Sequence, residues 1–119
     1  MRAKGIENIA LITDALSATG MPEGRYRLGT MEVELKNGVC QRNGTLAGSA
    51  LTMDKAVRNV MQFANIGLQQ AAGAASTNPA KFAGLRGKGV IEPGADADFV
   101  ALTPTGEVRA TVIAGELVQ

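Results

Sequence analysis

The sequence of 119 residues contains no histidine and no tryptophan, and it has only one cysteine, Cys40. Histidine is the commonest protein ligand of catalytic transition metals and the usual general base near neutral pH. We therefore expect that this chain by itself holds no catalytic metal ion. One cysteine cannot form a disulfide within the chain, and this fits a reducing compartment, which predicts a cytoplasmic location.

Aromatic residues, net charge and long apolar runs are also scarce. Aromatic side chains make up 3% of the chain, and 12 basic residues stand against 11 acidic ones, which leaves a formal net charge of +1. Such a chain offers neither the basic surface nor the stacking aromatics that bind nucleic acids. No apolar stretch reaches the length of about 20 residues that a membrane-spanning helix needs. We therefore expect neither a nucleic-acid partner nor a membrane partner.

The first apolar segment, Ile9-Ala10-Leu11-Ile12-Thr13, is continuous, rich in β-branched residues and followed by Asp14. This pattern predicts a strand that is buried on both faces, as in a parallel sheet. Parallel neighbours for such a strand are not evident in the rest of the chain. The sequence therefore indicates a part of a larger domain.

The middle of the chain predicts one hairpin and three helices. Alternating polar and apolar residues predict strands at 25–29 and 31–35, Asn37-Gly38 predicts a tight turn, and a return strand at 39–42 carries Cys40 as a small core residue. Helical periodicity follows at 53–64, with Thr52 as the predicted N-cap. An Ala-rich helix is predicted at 68–75. A short third helix is predicted to begin at Asn78-Pro79, with Asn78 as its cap, and to run to Gly84.

The last thirty residues predict short strands separated by Gly and Pro turns. The predicted strands are 90–92, 97–102, 108–113 and 117–118. Glu92, Asp96 and Asp98 lie close together in sequence, but Pro93 and Gly94 interrupt any metal-ligand spacing. We interpret these acidic residues as turn and sheet-edge residues.

Two short segments are open to a structural and a functional interpretation. Asp14, between an apolar run and a Ser/Gly loop, is either a turn former or a catalytic carboxylate at the end of a strand. The segment 45–49 is either a linker of small residues into the helix or a backbone surface that a ligand can approach closely. Residue patterns alone leave both alternatives open.

Four stretches together resemble a known family. In their order and spacing they are similar to the C-terminal section of N-acetylglucosamine-6-phosphate deacetylases, which belong to the amidohydrolase superfamily. The last stretch, with its G-x-x-A-D pattern, is shared by many amidohydrolases, whereas T-L-A-G-S before the A-V-R-N helix is more specific to the deacetylases. The stretches are residues 11–15, 44–59, 75–80 and 89–100.

The resemblance implies an α/β fold that is the C-terminal fragment of a (β/α)8 metal-dependent hydrolase barrel with part of its small β-sandwich domain. Residues 1–86 would form the last strand, a β-hairpin insertion and the last helices of the barrel. Residues 87–119 would form the C-terminal part of the small β-sandwich domain. A complete barrel takes about 250 residues, so this chain is too short to contain one.

The resemblance also implies a reaction for the complete enzyme: hydrolysis of N-acetylglucosamine 6-phosphate to glucosamine 6-phosphate and acetate. Asp14 would be the general acid/base, which shares a proton with a metal-bound water and delivers it to the leaving amine. The backbone of Ala47, Gly48 and Ser49 would contact the amino-sugar phosphate, with Leu46 as an apolar wall. The divalent metal ion, such as zinc, would be held by upstream histidines and a glutamate and by no residue of this chain.

Because those ligands lie elsewhere, we expect the chain alone to be inactive, and the family resemblance favours a homo-oligomer. Two alternatives are retained. One is a stand-alone, non-catalytic binding or assembly module. The other is a different amidohydrolase activity.

Overall fold

The computed structural model describes residues 3–118; Met1, Arg2 and Gln119, which the predicted segments 1–86 and 87–119 include, lie outside the described residues. The described part is an α/β structure with two sheets and three α-helices, divided into two compact units. One unit is Ile12–Ala56, and the other combines the residues up to Leu11 with those from Val57 onward. The elements are a 3-10 helix at Ile6–Asn8, β1 Gly24–Leu28, β2 Met31–Lys36, β3 Val39–Arg42, β4 Thr45–Ser49, α1 Met53–Ala64, α2 Leu68–Ala75, α3 Thr77–Phe82, β5 Phe99–Leu102, β6 Val108–Ile113 and β7 Glu116–Leu117.

The unit Ile12–Ala56 is built around a four-stranded antiparallel sheet in the order β1-β2-β3-β4. The predicted hairpin is confirmed: Asn37 and Gly38 both have positive φ, as a two-residue turn between twisted strands requires. Leu35 and Cys40 face each other across β2 and β3 and form a buried cluster with Ala18. The alternation of polar and apolar residues therefore predicted correctly which face of the sheet is buried.

Strand β4 was not predicted from the sequence, which offered a linker or a ligand-facing backbone for residues 45–49. Thr45–Ser49 pairs antiparallel with β3, so its backbone groups are held by a ladder. Gly and Ala carry little strand propensity of their own, and this strand is specified by the neighbour that it pairs with.

The strand predicted at Ile9–Thr13 is absent from the described structure. Residues 9–13 have no ladder partner, and Ile12 is 80% exposed. The segment is held instead by single hydrogen bonds, such as the one from the Leu11 amide to the Ala74 carbonyl at 2.8 Å. A strand needs a hydrogen-bonded neighbour, and the described residues supply none at this position.

The other unit contains α2, α3 and most of α1, and the predicted ranges of these helices are close to the observed ones. The apolar stripe of α1 packs with α2, because Val57, Val60 and the fully buried Ala71 form one cluster. Small alanine side chains on α2 allow this close approach. The Ala-rich face is thus covered within its own unit.

Neither predicted cap makes a capping hydrogen bond with its side chain. Thr52 stands immediately before α1 as predicted, and its carbonyl accepts a bond from the Ala56 amide at 2.9 Å, but its hydroxyl is buried and has no hydrogen-bond partner in the described structure. Asn78 lies inside α3 and uses its side-chain amide elsewhere: Nδ2 donates to the carbonyls of Ile6 at 2.9 Å and Ile9 at 2.7 Å. A tertiary partner competes successfully with local capping because one side chain satisfies two part-buried carbonyls.

The C-terminal sheet has the antiparallel order β5-β6-β7, and none of its strand residues is buried. The short strand predicted at 90–92 is not formed in the described structure, whereas the turns at Pro93-Gly94 and Pro104-Thr105 are present as expected. Within residues 3–118, no helix combines the length and apolar character needed to cross a membrane.

Candidate functional site

Asp14 and Ser49 lie side by side in the structure. The Asp14 carbonyl accepts a hydrogen bond from the Ser49 amide at 3.1 Å, and the Leu16 amide donates to the Ser49 carbonyl at 2.9 Å. These two bonds form an isolated parallel bridge between Ala15 and Ser49. The residue predicted as catalytic is therefore adjacent to the end of the segment predicted to bind substrate, although 35 positions separate Asp14 from Ser49.

The backbone of Asp14 has a left-handed conformation, with φ of 50°. Aspartate tolerates this region better than most residues, and such conformations are concentrated at turns and functional sites. Asp14 is exposed, and no hydrogen bond or ion pair to its carboxylate is present among the described residues. The carboxylate is thus available to a ligand, and the backbone determines the direction of its Cα–Cβ bond.

Ala47 is the extra residue of a β-bulge in β4. Gly48 pairs with Cys40 and Leu46 pairs with Gln41, so Ala47 has no partner in the register. A bulge leaves the extra residue out of the ladder and bends the strand locally. The backbone of Ala47 is therefore not committed to β3, which suits the predicted contact with a polar ligand.

Gly48 is buried and has φ of 150°, which favours glycine. A Cβ atom at this position would lie 2.7 Å from Cγ of Leu16, and real Cβ atoms do not approach other atoms so closely. The packing of Leu16 is therefore a structural reason for a glycine at position 48, in addition to the predicted substrate contact.

Ser49 and Leu46 complete the predicted substrate-binding segment. The Ser49 hydroxyl accepts a hydrogen bond from the Leu51 amide at 2.8 Å, which leaves its proton free to be donated. Leu46 is 70% exposed, so it is accessible as the predicted apolar wall. Whether Ala47, Gly48 and Ser49 contact substrate stays a prediction.

The side chains of the described residues do not fit a catalytic divalent metal ion. The sequence has no histidine, and within residues 3–118 no three Cys, Asp or Glu side chains come together as a potential ligand set. Asp96 and Asp98, two of the acidic residues weighed above, both form ion pairs with Lys88.

The ion pairs around Lys88 change the protonation of these groups. The carboxylates of Asp96 and Asp98 raise the pKa of Lys88 well above its ordinary value. A hydrogen bond from the Ala114 amide, and then Lys88, lower the pKa of Asp98. The cluster therefore links the loop before β5 to the turn after β6.

A shallow groove on the four-stranded sheet does not coincide with the candidate site. It is lined by residues that include Arg25, Glu34 and Arg42, and by neither Asp14 nor Ser49. Its mixed charges give it no preference for an anionic ligand. We therefore attach no function to it.

Leu16 lies beside the site and was not predicted from the sequence. Its side chain lies against Gly48 and packs on the Cys40 cluster. A single leucine within a Gly- and Pro-containing loop carries no periodic signal that would reveal this role.

Comparison with known proteins gives a consistent family. The model of the amidohydrolase family matches residues 2–118. The chain is 44% identical over 115 residues to an N-acetylglucosamine-6-phosphate deacetylase of Bos taurus, covering 94% of this chain but only 28% of that protein. It is 42% identical over 113 residues to a putative N-acetylgalactosamine-6-phosphate deacetylase of Escherichia coli strain K12, covering 93% of this chain and 68% of the relative.

A solved structure is also similar. The N-acetyl-D-glucosamine-6-phosphate deacetylase of Mycobacterium smegmatis, solved as a mutant in complex with N-acetyl-D-glucosamine-6-phosphate, matches with a TM-score of 0.86 and 38% identity over 96% of this chain and 31% of that one. The chain thus spans less than a third of the length of most of these relatives. The predicted resemblance to the C-terminal part of this class of deacetylase is confirmed.

Proposed function

This chain belongs to the amidohydrolase family, and from that membership we propose that the complete protein removes acetate from N-acetylglucosamine 6-phosphate. The products are glucosamine 6-phosphate and acetate. The observation that carries the proposal is the backbone hydrogen bond from Ser49 to Asp14, within the bridge of Ala15 and Ser49, in a chain similar to deacetylases of that substrate over nearly its whole length. We place the reaction in the cytoplasm, because one cysteine and no internal disulfide suit a reducing compartment.

In this proposal Asp14 moves one proton twice. Its carboxylate accepts a proton from the water that attacks the acetyl carbonyl, and a C–O bond forms. The carboxylic acid then donates that proton to the amide nitrogen as the C–N bond breaks, so glucosamine 6-phosphate leaves as an amine. An exposed carboxylate without a competing partner among the described residues suits both steps.

The substrate-binding role falls to the bulged end of β4. The backbone of Ala47 and Gly48 and the hydroxyl proton of Ser49 supply polar groups that can bind the amino-sugar phosphate, while Leu46 covers an apolar part of the sugar. Support comes from the register, which leaves Ala47 unpaired, and from the Ser49 hydroxyl, which has a proton to donate.

Amidohydrolases generally use a divalent metal ion. The residues of this chain do not fit such an ion, so we propose that its ligands lie in a part of the enzyme outside this sequence and that the chain alone is inactive. We assign no step of the reaction to the metal here.

The placement in the larger fold is also a proposal. We assign residues 1–86 to the last strand, a β-hairpin insertion and the last helices of a (β/α)8 barrel, and residues 87–119 to the C-terminal part of a small β-sandwich. In the complete enzyme, residues 9–13 would gain the parallel neighbours that they need to become a strand.

The decisive experiment measures acetate release by the complete protein that carries this chain. N-acetylglucosamine 6-phosphate, N-acetylgalactosamine 6-phosphate, unphosphorylated N-acetylglucosamine and a cyclic amide are compared at equal concentrations. We expect the first to react fastest. The E. coli relative makes the galactose epimer worth testing. A preference for that epimer would change the proposed substrate but not the reaction type. Turnover of the cyclic amide alone would replace deacetylation by another amidohydrolase activity.

The 119-residue chain is the control that separates catalysis from a binding module. We expect no acetate release from it at any concentration. Tight, saturable binding of a ligand other than the sugar phosphate by this chain, with an inactive complete protein, would favour the non-catalytic alternative.

A further inference from the structure

We propose that Leu16 is a positioning residue for Asp14, and that Gly48 is the slot that receives it. The inference rests on the proposed function, because it assumes that the Asp14 carboxylate carries the reaction. It adds a residue that contacts neither substrate nor reacting atoms. All the residues concerned belong to the unit Ile12–Ala56.

No side chain among the described residues binds the Asp14 carboxylate, so the backbone of residues 14–16 sets the position of its Cα–Cβ bond and thus the region that the carboxylate can reach. Asp14 has the left-handed φ of 50°, a conformation that the surrounding structure must maintain. Two backbone hydrogen bonds to Ser49 hold this turn, one on each side of Ala15.

The turn is also held against β4 by side-chain packing. Backbone hydrogen bonds to one residue allow the segment to pivot, whereas a packed side chain prevents that movement. Leu16 provides the packing, because its side chain occupies the space where a Cβ of Gly48 would lie; such a Cβ would be 2.7 Å from Leu16 Cγ and 2.8 Å from Leu16 Cδ1. Leu16 also packs on the cluster of Ala18, Leu35 and Cys40, so the turn is fastened to the core of its unit.

Beside its φ of 150°, position 48 has two further possible reasons for a glycine, and kinetics can separate them. If Gly48 is needed because substrate approaches it, a methyl group there should raise KM. If it is needed because Leu16 fills the slot, the methyl group should displace Leu16 and lower kcat through Asp14. Misplacing a catalytic group by about 1 Å can cost about 100-fold in rate.

The test is a double-mutant cycle in the complete enzyme, with Leu16→Ala, Gly48→Ala and the double variant. We expect each single change to lower kcat by between about 10-fold and 100-fold with KM changed less than about 3-fold. Gly48→Ala should lower kcat less in the Leu16→Ala background than in the wild type, because the space left by Leu16 accepts the methyl group while the cost of φ 150° is common to both backgrounds. Effects on kcat that multiply, or a dominant rise in KM, would overturn the proposal.

Val33→Ala is the matched control, because Val33 is buried in the same sheet but lies outside the Cys40 cluster. It should lower stability and leave kcat unchanged. If Leu16→Ala does not fold, Leu16→Met and Leu16→Val carry the test: Met keeps the volume and the rate, whereas Val loses rate. Equal rates in these two variants would reject a positioning role.

A direct readout uses the 119-residue chain without any catalysis. Nuclear Overhauser contacts are expected between the Leu16 methyl groups and the Gly48 α-protons. Their absence in the folded chain would contradict the proposed packing of Leu16 against Gly48. An inactive wild-type enzyme, or full activity of Asp14→Asn, would instead contradict the proposed function. The two failures are therefore distinguishable.

Discussion

Asp14 is an exposed aspartate in a backbone conformation that few residue types adopt readily. Asparagine is the best replacement for a test, because it shares the tolerance for positive φ and has nearly the same shape. An Asp14→Asn variant therefore removes the base while retaining the turn. Any loss of rate then reports on proton transfer and not on folding.

We expect Asp14→Asn in the complete enzyme to lower kcat by about 100-fold to 10,000-fold with little change in KM, because general acid–base catalysis contributes factors of that size. Steady-state kinetics with N-acetylglucosamine 6-phosphate provide the measurement. Glu32→Gln, which neutralises another exposed carboxylate of the same unit, should behave like the wild type. Near-normal turnover of Asp14→Asn would remove Asp14 from the catalytic role.

Asp98 gives a residue-scale prediction about pH. The Ala114 amide and Lys88 lower the pKa of Asp98 below its ordinary value of 3.8, so the folded chain favours the ionised carboxylate. A lowered pKa in the folded state gives stability that is fully present above pH 3.8 and is lost as pH falls through the folded-state pKa. Acid should therefore weaken this connection between the loop before β5 and the turn after β6.

We expect Asp98→Asn to reduce the part of the unfolding free energy that depends on pH in the acid range. Urea unfolding of the 119-residue chain, measured from about pH 6 down to about pH 2.5, gives the slope. Glu92→Gln is the matched control and should leave the slope close to that of the wild type. An identical acid slope for Asp98→Asn and the wild type would show that this ion pair contributes nothing to stability.

At the scale of elements, two-residue turns are used in both sheets; Asn37-Gly38 and Asn43-Gly44 suit the positive φ values of their turns, but one turn of the C-terminal sheet contains a less favourable residue. The β6–β7 turn places Ala114 at φ of 52° before Gly115. Alanine has a steric cost in this region because its Cβ approaches the backbone. The turn is nevertheless held, since the Ala114 amide donates to Asp98 at 2.8 Å.

We expect Ala114→Asn to stabilise the chain by about 1 kcal/mol, because asparagine tolerates the left-handed region. Ala114→Val, which places a β-branched side chain at the same φ, should destabilise it and serves as the opposite control. Both are measured as shifts in the urea midpoint of the 119-residue chain. A lower midpoint for Ala114→Asn would mean that the strain is relieved in some other way.

The β4 strand shows how an element can be formed by its neighbour. Thr45–Ser49 contains two small residues, and a bulge interrupts its pairing with β3. Its ladder is nevertheless retained, because the preceding hairpin brings the chain back beside β3. The candidate site depends on this element, since β4 carries Ser49 to Asp14.

At the scale of the whole molecule, the C-terminal sheet lacks a core of its own. By the pairing of the strands, Phe99, Val112 and Leu117 share one face, and Val100 and Ile113 lie on the other. Val100 and Ile113 are each 56% exposed, and Leu117 is 70% exposed. Apolar side chains on both faces of a sheet favour association, because burial of apolar area is stabilising.

We expect the isolated 119-residue chain to self-associate through this sheet. Sedimentation over a range of concentrations should show species larger than the monomer. The double variant Val100→Thr, Ile113→Thr keeps the β-branched shape and should shift the distribution toward monomer. Met21→Gln, which changes an apolar residue that is 52% exposed in the other unit, should not. A wild-type chain that stays monomeric throughout would contradict the expectation.

The sequence by itself determined the features that depend on neighbours close along the chain. The Asn37-Gly38 turn, the inward position of Cys40 and the range of α1 follow from local conformational preference and from apolar periodicity, and each was predicted correctly. Composition alone also showed that the chain lacks histidine, the residue type that most often binds a catalytic transition metal. Motif resemblance alone pointed to Asp14 and to residues 47–49 as the candidate site.

Only the tertiary structure decided the features that depend on distant partners. Residues 9–13 have strand-like composition but no neighbour, so they form no strand; Thr45–Ser49 has weak propensity but a neighbour, so it does. Asn78 leaves its local capping role to bind two distant carbonyls. The contact of Leu16 with Gly48 has no sequence signal, because hydrogen bonding and packing across 32 positions depend on how the chain returns and not on its local pattern.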